Sequence, residues 1–199
     1  TYYLGNEKIT VRSELKDLGL TISNKLLFVK HVNKITGETY NLLRNIKIAF
    51  SYIDEDTMKK LITTMIRPRL EYTTLVWSPS LKDIRKLEKI HRAATKVPAS
   101  LRGYSYEEMF MRLGLTTLEK RRERGDLIAL YRILEAMEKL DRDDLVISGT
   151  TGTRGHGRKL IRSVCRRDIK KHSSPHRSIA VRNELNDETV CAKTVNKFF

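Results

Sequence analysis

The sequence predicts a mainly α-helical bundle that begins with a β-hairpin or a three-strand remnant. Two patterns lead to this fold class. The first 23 residues alternate apolar and polar side chains with strand-like spacing, and apolar residues recur at helical spacing from residue 25 onward. Helix-start residues also precede several of the later apolar runs. Within 199 residues, 40% of them apolar, such a fold can bury a core in one ordinary domain or two small ones.

The N-terminal segment reads as strands. Residues 2–4 lead into a turn at Gly5-Asn6, residues 7–11 (EKITV) return, and residues 17–23 (DLGLTIS) form a third short strand. Because three short strands cannot bury enough apolar surface to be stable alone, we expect them to be the edge of a larger sheet.

Two helices follow. Apolar residues from 25 to 46 recur at helical spacing, and Gly37 weakens or interrupts that run. The second helix begins near Asp54, a favoured N-cap residue. Pro68 removes an amide donor and disfavours helical geometry at Arg67, so we expect a kink or a restart there.

The C-terminal half contains three more helical signals. A helix is predicted from about Leu81 to Val97. Residues 105–108 (SYEE) form a capping box, and the helix that they open is predicted to stop at Gly114. Residues 116–119 (TTLE) form a second box, which opens the longest helix, predicted from 118 to 140. These elements divide the chain into four segments: residues 1–23, 24–100, 101–147, and a basic, weakly helical tail at 148–199.

Positive charge dominates the composition. The chain has 39 Lys and Arg against 24 Asp and Glu, a net charge of +15. Such an excess favours polyanionic partners, meaning nucleic acid or an acidic membrane surface. No apolar run approaches the ~18 residues of a membrane span, so no transmembrane helix is expected. Of the two kinds of polyanion, we predict nucleic acid as the partner and no membrane. Two cysteines, Cys165 and Cys191, fit free thiols in a reducing compartment.

The helix predicted at 81–97 carries the clearest charge pattern. At 100° per residue, its apolar residues fall on one arc, and four cations fall on the opposite arc: Arg85, Lys89, Arg92 and Lys96. These cations either contact nucleic-acid phosphates or form an ordinary solvated face. A solvated face normally mixes signs, and four like charges at this spacing repel one another.

Two further basic groups are candidates for phosphate contact. The first turns of the helix predicted at 118–140 hold Lys120, Arg121 and Arg122, where cations oppose the helix dipole. They require either an external anion or a carboxylate partner such as Glu119 or Glu123. The tail contributes Arg154, Arg158 and Lys159 in a Gly-rich loop that lacks the P-loop spacing and is interpreted as a linker with some phosphate affinity.

Metal and catalytic sites are disfavoured. The residues that could hold zinc lack a closely spaced cysteine pair: Cys165, His172, His176 and Cys191. Three isolated histidines are interpreted as surface or hydrogen-bonded residues: His31, His91 and His156. No nucleophile elbow, zinc-protease motif or dinucleotide fingerprint is present, so the sequence predicts no catalytic residue.

Six segments, in this order, resemble one family. They are residues 17–23, 66–79 (IRPRLEYTTLVWSP), 83–96 (DIRKLEKIHRAATK), 105–134, 153–160 (TRGHGRKL) and 176–185 (HRSIAVRNEL). Together they resemble non-LTR retrotransposon reverse transcriptases of the jockey-like and related clades, in the region after the catalytic palm. The resemblance implies the last palm strands, a helical thumb at residues 24–100 and a helical C-terminal region.

The resemblance implies a non-catalytic segment that grips template RNA or RNA–DNA hybrid, or DNA, through the phosphate backbone. The family's aromatic-Ala-Asp-Asp hairpin has no counterpart here, so the segment should not polymerise alone, and it needs no cofactor, although the parent polymerase would use Mg²⁺. The implied partners also include the parent's palm and fingers, in an intracellular ribonucleoprotein, nuclear or cytoplasmic. The alternative is a basic helical module for protein interaction or structure, without a nucleic-acid function.

The chain departs from the family pattern near its end. Arg182 stands where the family has Trp, Asn186 replaces a Pro, the aromatic pair near Ser173-Ser174 is missing, and the chain stops where family members continue. An arginine at a buried tryptophan position leaves an unpaired charge in a core. We therefore expect imperfect packing of the last 30 residues, as in a decayed or truncated element copy.

The segment 66–79 is assigned mainly to packing. Leu70, Tyr72, Leu75 and Trp77 are expected to serve packing rather than chemistry, with Trp77 anchored against the core. Arg67 and Arg69 are expected either to touch backbone phosphate or to form a salt bridge with Glu71 or an upstream acid.

Overall fold

The structure, a computed structural model, describes residues 2–77, 81–139, 145–148, 156–161 and 173–195. The chain divides into two compact units, which are described separately below. Unit 1 comprises Thr1–Tyr72 and Pro79–Leu115, and unit 2 comprises Thr73–Ser78 and Thr116–Phe199. These units do not follow the four predicted segments. Unit 1 holds most of residues 24–100 together with the first part of the segment 101–147, and unit 2 holds the rest of that segment.

Unit 1 begins with two β-hairpins. In the first, β1 (Tyr2–Leu4) pairs antiparallel with β2 (Glu7–Ile9) across the predicted Gly5-Asn6 turn. In the second, β3 (Glu14–Asp17) pairs with β4 (Leu20–Ser23). Both turn residues of the second hairpin, Leu18 and Gly19, have positive φ, which matches the right-handed twist of the strands. The predicted single strand at 17–23 was therefore wrong, since it contains this turn.

The described part of unit 1 continues with five α-helices: α1 (Val29–Ala49), α2 (Glu55–Leu61), α3 (Arg67–Leu70), α4 (Leu81–Thr95) and α5 (Tyr106–Leu113). A short 3₁₀ helix, Ala99–Leu101, lies between α4 and α5. Helix α1 runs unbroken through Gly37, so the predicted interruption was wrong. One glycine costs only about 1 kcal/mol in a helix, and Val32, Ile35 and Leu43 are buried on both sides of it.

The helix around Pro68 continues instead of stopping. A π-helical turn, Ile62–Ile66, joins α2 to α3, and Arg67 has helical dihedrals (φ −58°, ψ −47°). Pro68 lies at the start of α3, where its missing N–H is least needed. The expected departure of Arg67 from helical geometry was therefore wrong, because the wider turn absorbs the irregularity before the proline.

Local capping signals set three of the helix ends in unit 1. Asp54 accepts a hydrogen bond from the Thr57 amide at the start of α2. Ser105 and Glu108 form the predicted capping box of α5. Gly114 ends α5 in the left-handed conformation, with the paired hydrogen bonds of a Schellman motif. All three predictions are confirmed.

Unit 2 contains α6 (Leu118–Leu134), α7 (Ser174–Glu184) and α8 (Asp187–Val190). Thr117 caps α6 by accepting from the Lys120 amide. The predicted capping box at 116–119 was therefore wrong, because it required Thr116 to be the N-cap residue. Helix α6 ends at Leu134, six residues before the predicted stop, and α1, with 21 residues, is longer. Ala136, at φ +58°, ends α6 in a Schellman motif, at a position that glycine usually occupies. The sequence therefore carries no signal for this helix end.

The core of unit 2 lies between α6 and α7. Leu130, Ile133, Leu145, Leu160 and Ile179 form one buried cluster. Trp77 is fully buried, as predicted. Of the other residues expected to pack, Leu70, in unit 1, is also buried, whereas Tyr72, in unit 1, and Leu75, in unit 2, are 46% and 45% exposed.

Two of the residues that depart from the resembled family pattern, Arg182 and Asn186, form hydrogen bonds. Arg182 is buried, and its Nη1 donates to the Arg158 carbonyl at 2.7 Å, so the charge expected to be unpaired is hydrogen-bonded. Burial nevertheless lowers the pKa of Arg182. Asn186 caps α8 by accepting from the Thr189 amide. Side chains within residues 173–195 do pack, since Ile179 and Val190 are buried.

The fold class is confirmed: the protein is mainly α-helical, with short antiparallel strand pairs at the N-terminus. Among the residues that the structure describes, no helix has the length and apolar character required to cross a bilayer.

Two glycines of unit 1 should respond oppositely to the same substitution. Gly37→Ala should raise the free energy of unfolding by about 0.5–1 kcal/mol, because alanine favours the helix and the added methyl group meets open space. Gly114→Ala should lower it by about 1–2 kcal/mol, because φ +56° is strained for alanine. Urea titration of both variants measures this difference, and equal effects would contradict the assigned backbone geometry.

Candidate nucleic-acid interface

Helix α4 buries one face and exposes a row of cations on the other. Leu87, Ile90 and Ala94 are buried, whereas Arg85, Lys89 and Arg92 are exposed. The helix ends at Thr95, two residues before the predicted end, and Lys96, which follows it directly, is also exposed. The predicted separation of the two faces is confirmed. Lys82 is also exposed and extends the row by one step of three residues toward the N-terminus. Sequence reasoning missed it, although its i, i+3 spacing from Arg85 is a usable signal. These five residues are called the α4 basic face.

The two acids of α4 do not neutralise this face. Asp83 is buried and lies 3.6 Å from the Lys86 ammonium group. Glu88 is largely buried and accepts a hydrogen bond from the Tyr106 hydroxyl at 2.6 Å. Among the described residues, no carboxylate forms an ion pair with Lys82, Arg85, Lys89 or Lys96.

Arg92 is held in place by an aromatic ring. Its guanidinium carbon lies 4.3 Å from the centre of the Tyr106 ring, a cation–π contact. Burial and the hydrogen bond to Glu88 raise the pKa of Tyr106, so its hydroxyl stays protonated and donates at neutral pH. The guanidinium is therefore ordered at the surface before any ligand binds.

A buried polar contact fixes α4 against α3. Arg67 is 5% exposed, and its Nε donates to His91 Nε2 at 3.3 Å. This contact requires an unprotonated His91 Nε2, so the histidine is neutral with its proton on Nδ1, which lies 3.8 Å from Glu88. The alternative that Arg67 contacts backbone phosphate is therefore wrong, because its side chain is buried. Arg69 is exposed, and its phosphate contact or salt bridge stays a prediction.

The predicted basic turn of α6 is only partly available to a ligand. Lys120 and Arg121 are exposed, but Arg122 is half-buried with its guanidinium carbon 5.5 Å from the centre of the Trp77 ring. Arg122 therefore contributes to packing in unit 2. Lys120 forms no ion pair with the described residues, so a phosphate contact stays a prediction for Lys120 and Arg121.

Two of the three candidate residues of the tail, Arg158 and Lys159, lie among the described residues, and both form contacts within the protein. Arg158 forms a salt bridge with Glu135 at 3.0 Å, which competes with a phosphate contact. Lys159 is half-buried, and its carbonyl accepts from the Ser148 amide. Arg154 lies outside the described residues.

Unit 2 also contains a buried ion pair that the sequence reading missed. Arg177 donates from Nε to Asp126 Oδ2 at 2.7 Å and from Nη2 to Oδ1 at 2.5 Å, and it also reaches the Thr74 carbonyl at 3.0 Å. Ser174 donates to the same carboxylate at 3.2 Å. A single acid on the apolar face of α6, beside Leu127 and Leu130, was the available signal, since a buried carboxylate needs a partner.

Three histidines that were interpreted as surface or hydrogen-bonded residues lie in the interior, so the surface alternative is wrong. His91 accepts from Arg67, and His156 Nε2 lies 3.2 Å from the Arg182 carbonyl. His31, His91 and His156 are 1%, 0% and 4% exposed. Burial lowers the pKa of both His31 and His91. Within the described part of the chain, no group of three or more His, Cys, Asp or Glu side chains could hold a metal ion. Cys165 and His172 of the disfavoured zinc set lie outside that part.

No protein-family model, curated protein or solved structure matches the chain. The membership in the reverse transcriptase family that the six sequence segments suggest therefore stays a prediction.

The buried state of His91 predicts a pH dependence of stability. Its folded-state pKa lies below 6.5, so the unfolded chain binds a proton that the folded chain excludes. The free energy of unfolding should fall as the pH drops below 6.5, by up to about 1.4 kcal/mol per pH unit for this group. His91→Gln keeps an acceptor for Arg67 and should reduce the slope, with His31 supplying a remainder of the same sign. Urea titrations between about pH 7 and 5 measure the slope, and an unchanged slope would refute the assignment.

The Asp126–Arg177 pair predicts strong non-additivity. Asp126→Ala should destabilise unit 2 by about 3–5 kcal/mol, because it leaves a guanidinium buried without its carboxylate. Adding Arg177→Met to that variant should recover a large part of the loss. Denaturant unfolding of the wild type, both single variants and the double variant completes the cycle. Simple additivity would show that the two residues do not act as a pair.

Proposed function

We propose that unit 1 binds the phosphate backbone of RNA or RNA–DNA hybrid through the α4 basic face, as a non-catalytic segment of a retrotransposon-type RNA-directed DNA polymerase. The observation that carries the proposal is the row of five exposed cations along one side of α4 and the residue after it, none of which forms an ion pair with a described residue. The same-sign repulsion along this row is relieved when an anionic strand lies against it.

The dimensions of the face suit a strand backbone. A helix of 15 residues is about 22 Å long. Because one strand of a duplex carries a phosphate every ~3.4 Å along its axis, the face spans about six phosphates. Cations repeated at every third or fourth residue along a straight helix can follow such a series.

The chemistry of the face favours backbone contact over base readout. It consists of lysine and arginine side chains alone, and it lacks the Asn and Gln amides that commonly read adenine edges. Phosphate contacts position a protein on its ligand without reading sequence. We therefore expect binding with weak sequence preference and strong dependence on salt. The choice of RNA or hybrid over DNA rests on the family resemblance.

A protein contact is a second function that one observation favours. Near the first hairpin, Tyr2, Leu4 and Val11 are each at least 73% exposed. This apolar surface suits packing against more protein, such as the palm of a parent polymerase. The two functions use different parts of unit 1 and are compatible.

Neutralising the α4 basic face should weaken binding and reduce its salt dependence. The variant Arg85→Gln, Lys89→Gln, Lys96→Gln leaves Arg92 and its contact with Tyr106 intact. Fluorescence anisotropy with an RNA–DNA hybrid between about 50 and 200 mM salt should show the slope of log K against log salt falling in magnitude by about 2–3, since each phosphate contact contributes about 0.7–0.9.

A matched control separates local contact from overall charge. Lys8→Gln, Lys16→Gln, Lys60→Gln removes the same charge from exposed lysines of unit 1 that lie outside the face. This control should keep nearly the full slope. Equal losses in both variants would reject the α4 basic face as the site. Absence of binding by the wild type at low salt would reject the nucleic-acid function and favour the protein-interaction module.

A further inference from the structure

A second basic feature of unit 1 is a cavity where α1 and α4 end. Its volume is about 250 Å³. It is lined by the last turn of α1, the residues that follow it, and the segment after α4: Lys47, Phe50, Ser51, Ile53, Lys96, Val97 and Arg102. This group is called the basic cavity.

The charge of the basic cavity is positive even after the helix dipoles are counted. Lys47, Lys96 and Arg102 supply three cations, and no carboxylate lines the cavity. None of the three forms an ion pair with a described residue. The C-termini of α1 and α4 each contribute roughly −0.5 charge, which leaves a net charge of roughly +2. That value complements a dianion.

The remaining walls suit a ligand that is larger than an inorganic ion. Phe50, Ile53 and Val97 give the cavity an apolar side, and the Phe50 ring is 45% exposed and accessible for stacking. A nucleotide presents a phosphate, a sugar and a flat base in one molecule. The cations, the hydroxyl of Ser51 and the apolar side can each engage one of these parts.

We propose that the basic cavity binds a phosphate monoester at the end of a nucleic-acid strand. Lys96 belongs both to the cavity and to the α4 basic face, so a strand that lies along α4 reaches the cavity with its terminal residue. A terminal monoester carries up to two negative charges, whereas each internal diester carries one, so the cavity favours the end of the strand. The assignment of this phosphate to the end of a nucleic-acid strand rests on the proposed function. A free nucleoside monophosphate offers the same chemistry.

The test compares RNA–DNA hybrids of one sequence that end in a 5′-phosphate, a 3′-phosphate or hydroxyls only. We expect one of the phosphorylated hybrids to bind about five- to tenfold more tightly than the hydroxyl form. A hydroxyl-ended hybrid with one more nucleotide carries its additional phosphate internally and should not show this gain.

Variants locate the effect. Lys47→Gln, Arg102→Gln should abolish the preference for the terminal phosphate while retaining binding to the hydroxyl hybrid. Lys16→Gln, Lys60→Gln loses the same charge elsewhere and should keep the preference. Arg85→Gln, Lys89→Gln should weaken binding to all hybrids by a similar factor and leave the ratio unchanged. If the cations only compensate the helix ends, Lys47→Gln, Arg102→Gln will lower the free energy of unfolding without changing the ratio.

Adenosine monophosphate and inorganic phosphate serve as free probes. Competition by the monophosphate against the phosphorylated hybrid, lost in Lys47→Gln, Arg102→Gln, supports the cavity and measures its affinity for a free nucleotide. If hybrids bind without any preference for a terminal phosphate, the cavity proposal is overturned and the proposed function stands. If no hybrid binds but adenosine monophosphate binds through Lys47 and Arg102, the proposal that the bound phosphate belongs to a strand end is overturned. Phosphate binding by the cavity then stands.

Discussion

Helix α4 is anchored in the core of unit 1 by Leu87, Ile90 and Ala94, and this burial fixes the rotation of the helix about its axis. Because side chains three and four residues apart share a face, the same rotation directs Arg85, Lys89 and Lys96 to solvent. A helix free to turn would spread these charges over all directions. The apolar contacts of α4 therefore create the charged surface on which the proposed function depends.

The polar contacts beneath α4 add geometric definition to that anchoring. His91 accepts from Arg67 of α3, and Glu88 accepts from Tyr106 of α5, so two neighbouring helices are tied to α4 by directional bonds. Each bond also withdraws a charged or polar group from the surface. Glu88 would oppose an anionic ligand if it pointed outward. Its use in the hydrogen bond with Tyr106, over which Arg92 stacks, keeps the exposed face positive.

Unit 2 shows that basic residues do not by themselves make a binding surface. Arg177 pairs with Asp126, Arg158 pairs with Glu135, and Arg182 donates to a backbone carbonyl. A desolvated guanidinium requires acceptors, and those acceptors come from the fold. The net charge of +15 thus divides into cations that stabilise the protein and cations that remain available. Among the described residues, the available ones include the α4 basic face and the cations of the basic cavity.

The sequence by itself determined the features that arise within a few residues: the mainly helical class, the caps at Asp54, Ser105 and Gly114, and the two faces of α4. It did not reveal that α1 continues through Gly37, that a π-helical turn precedes Pro68, or that Ala136 ends α6, because packing outweighs local preferences of about 1 kcal/mol. The partners of Arg67 and Arg177 were equally hidden, since Arg177 and Asp126 lie 51 positions apart. Periodicity places a side chain on a face of its helix, but only tertiary structure decides whether that face meets an acid, a ring or water.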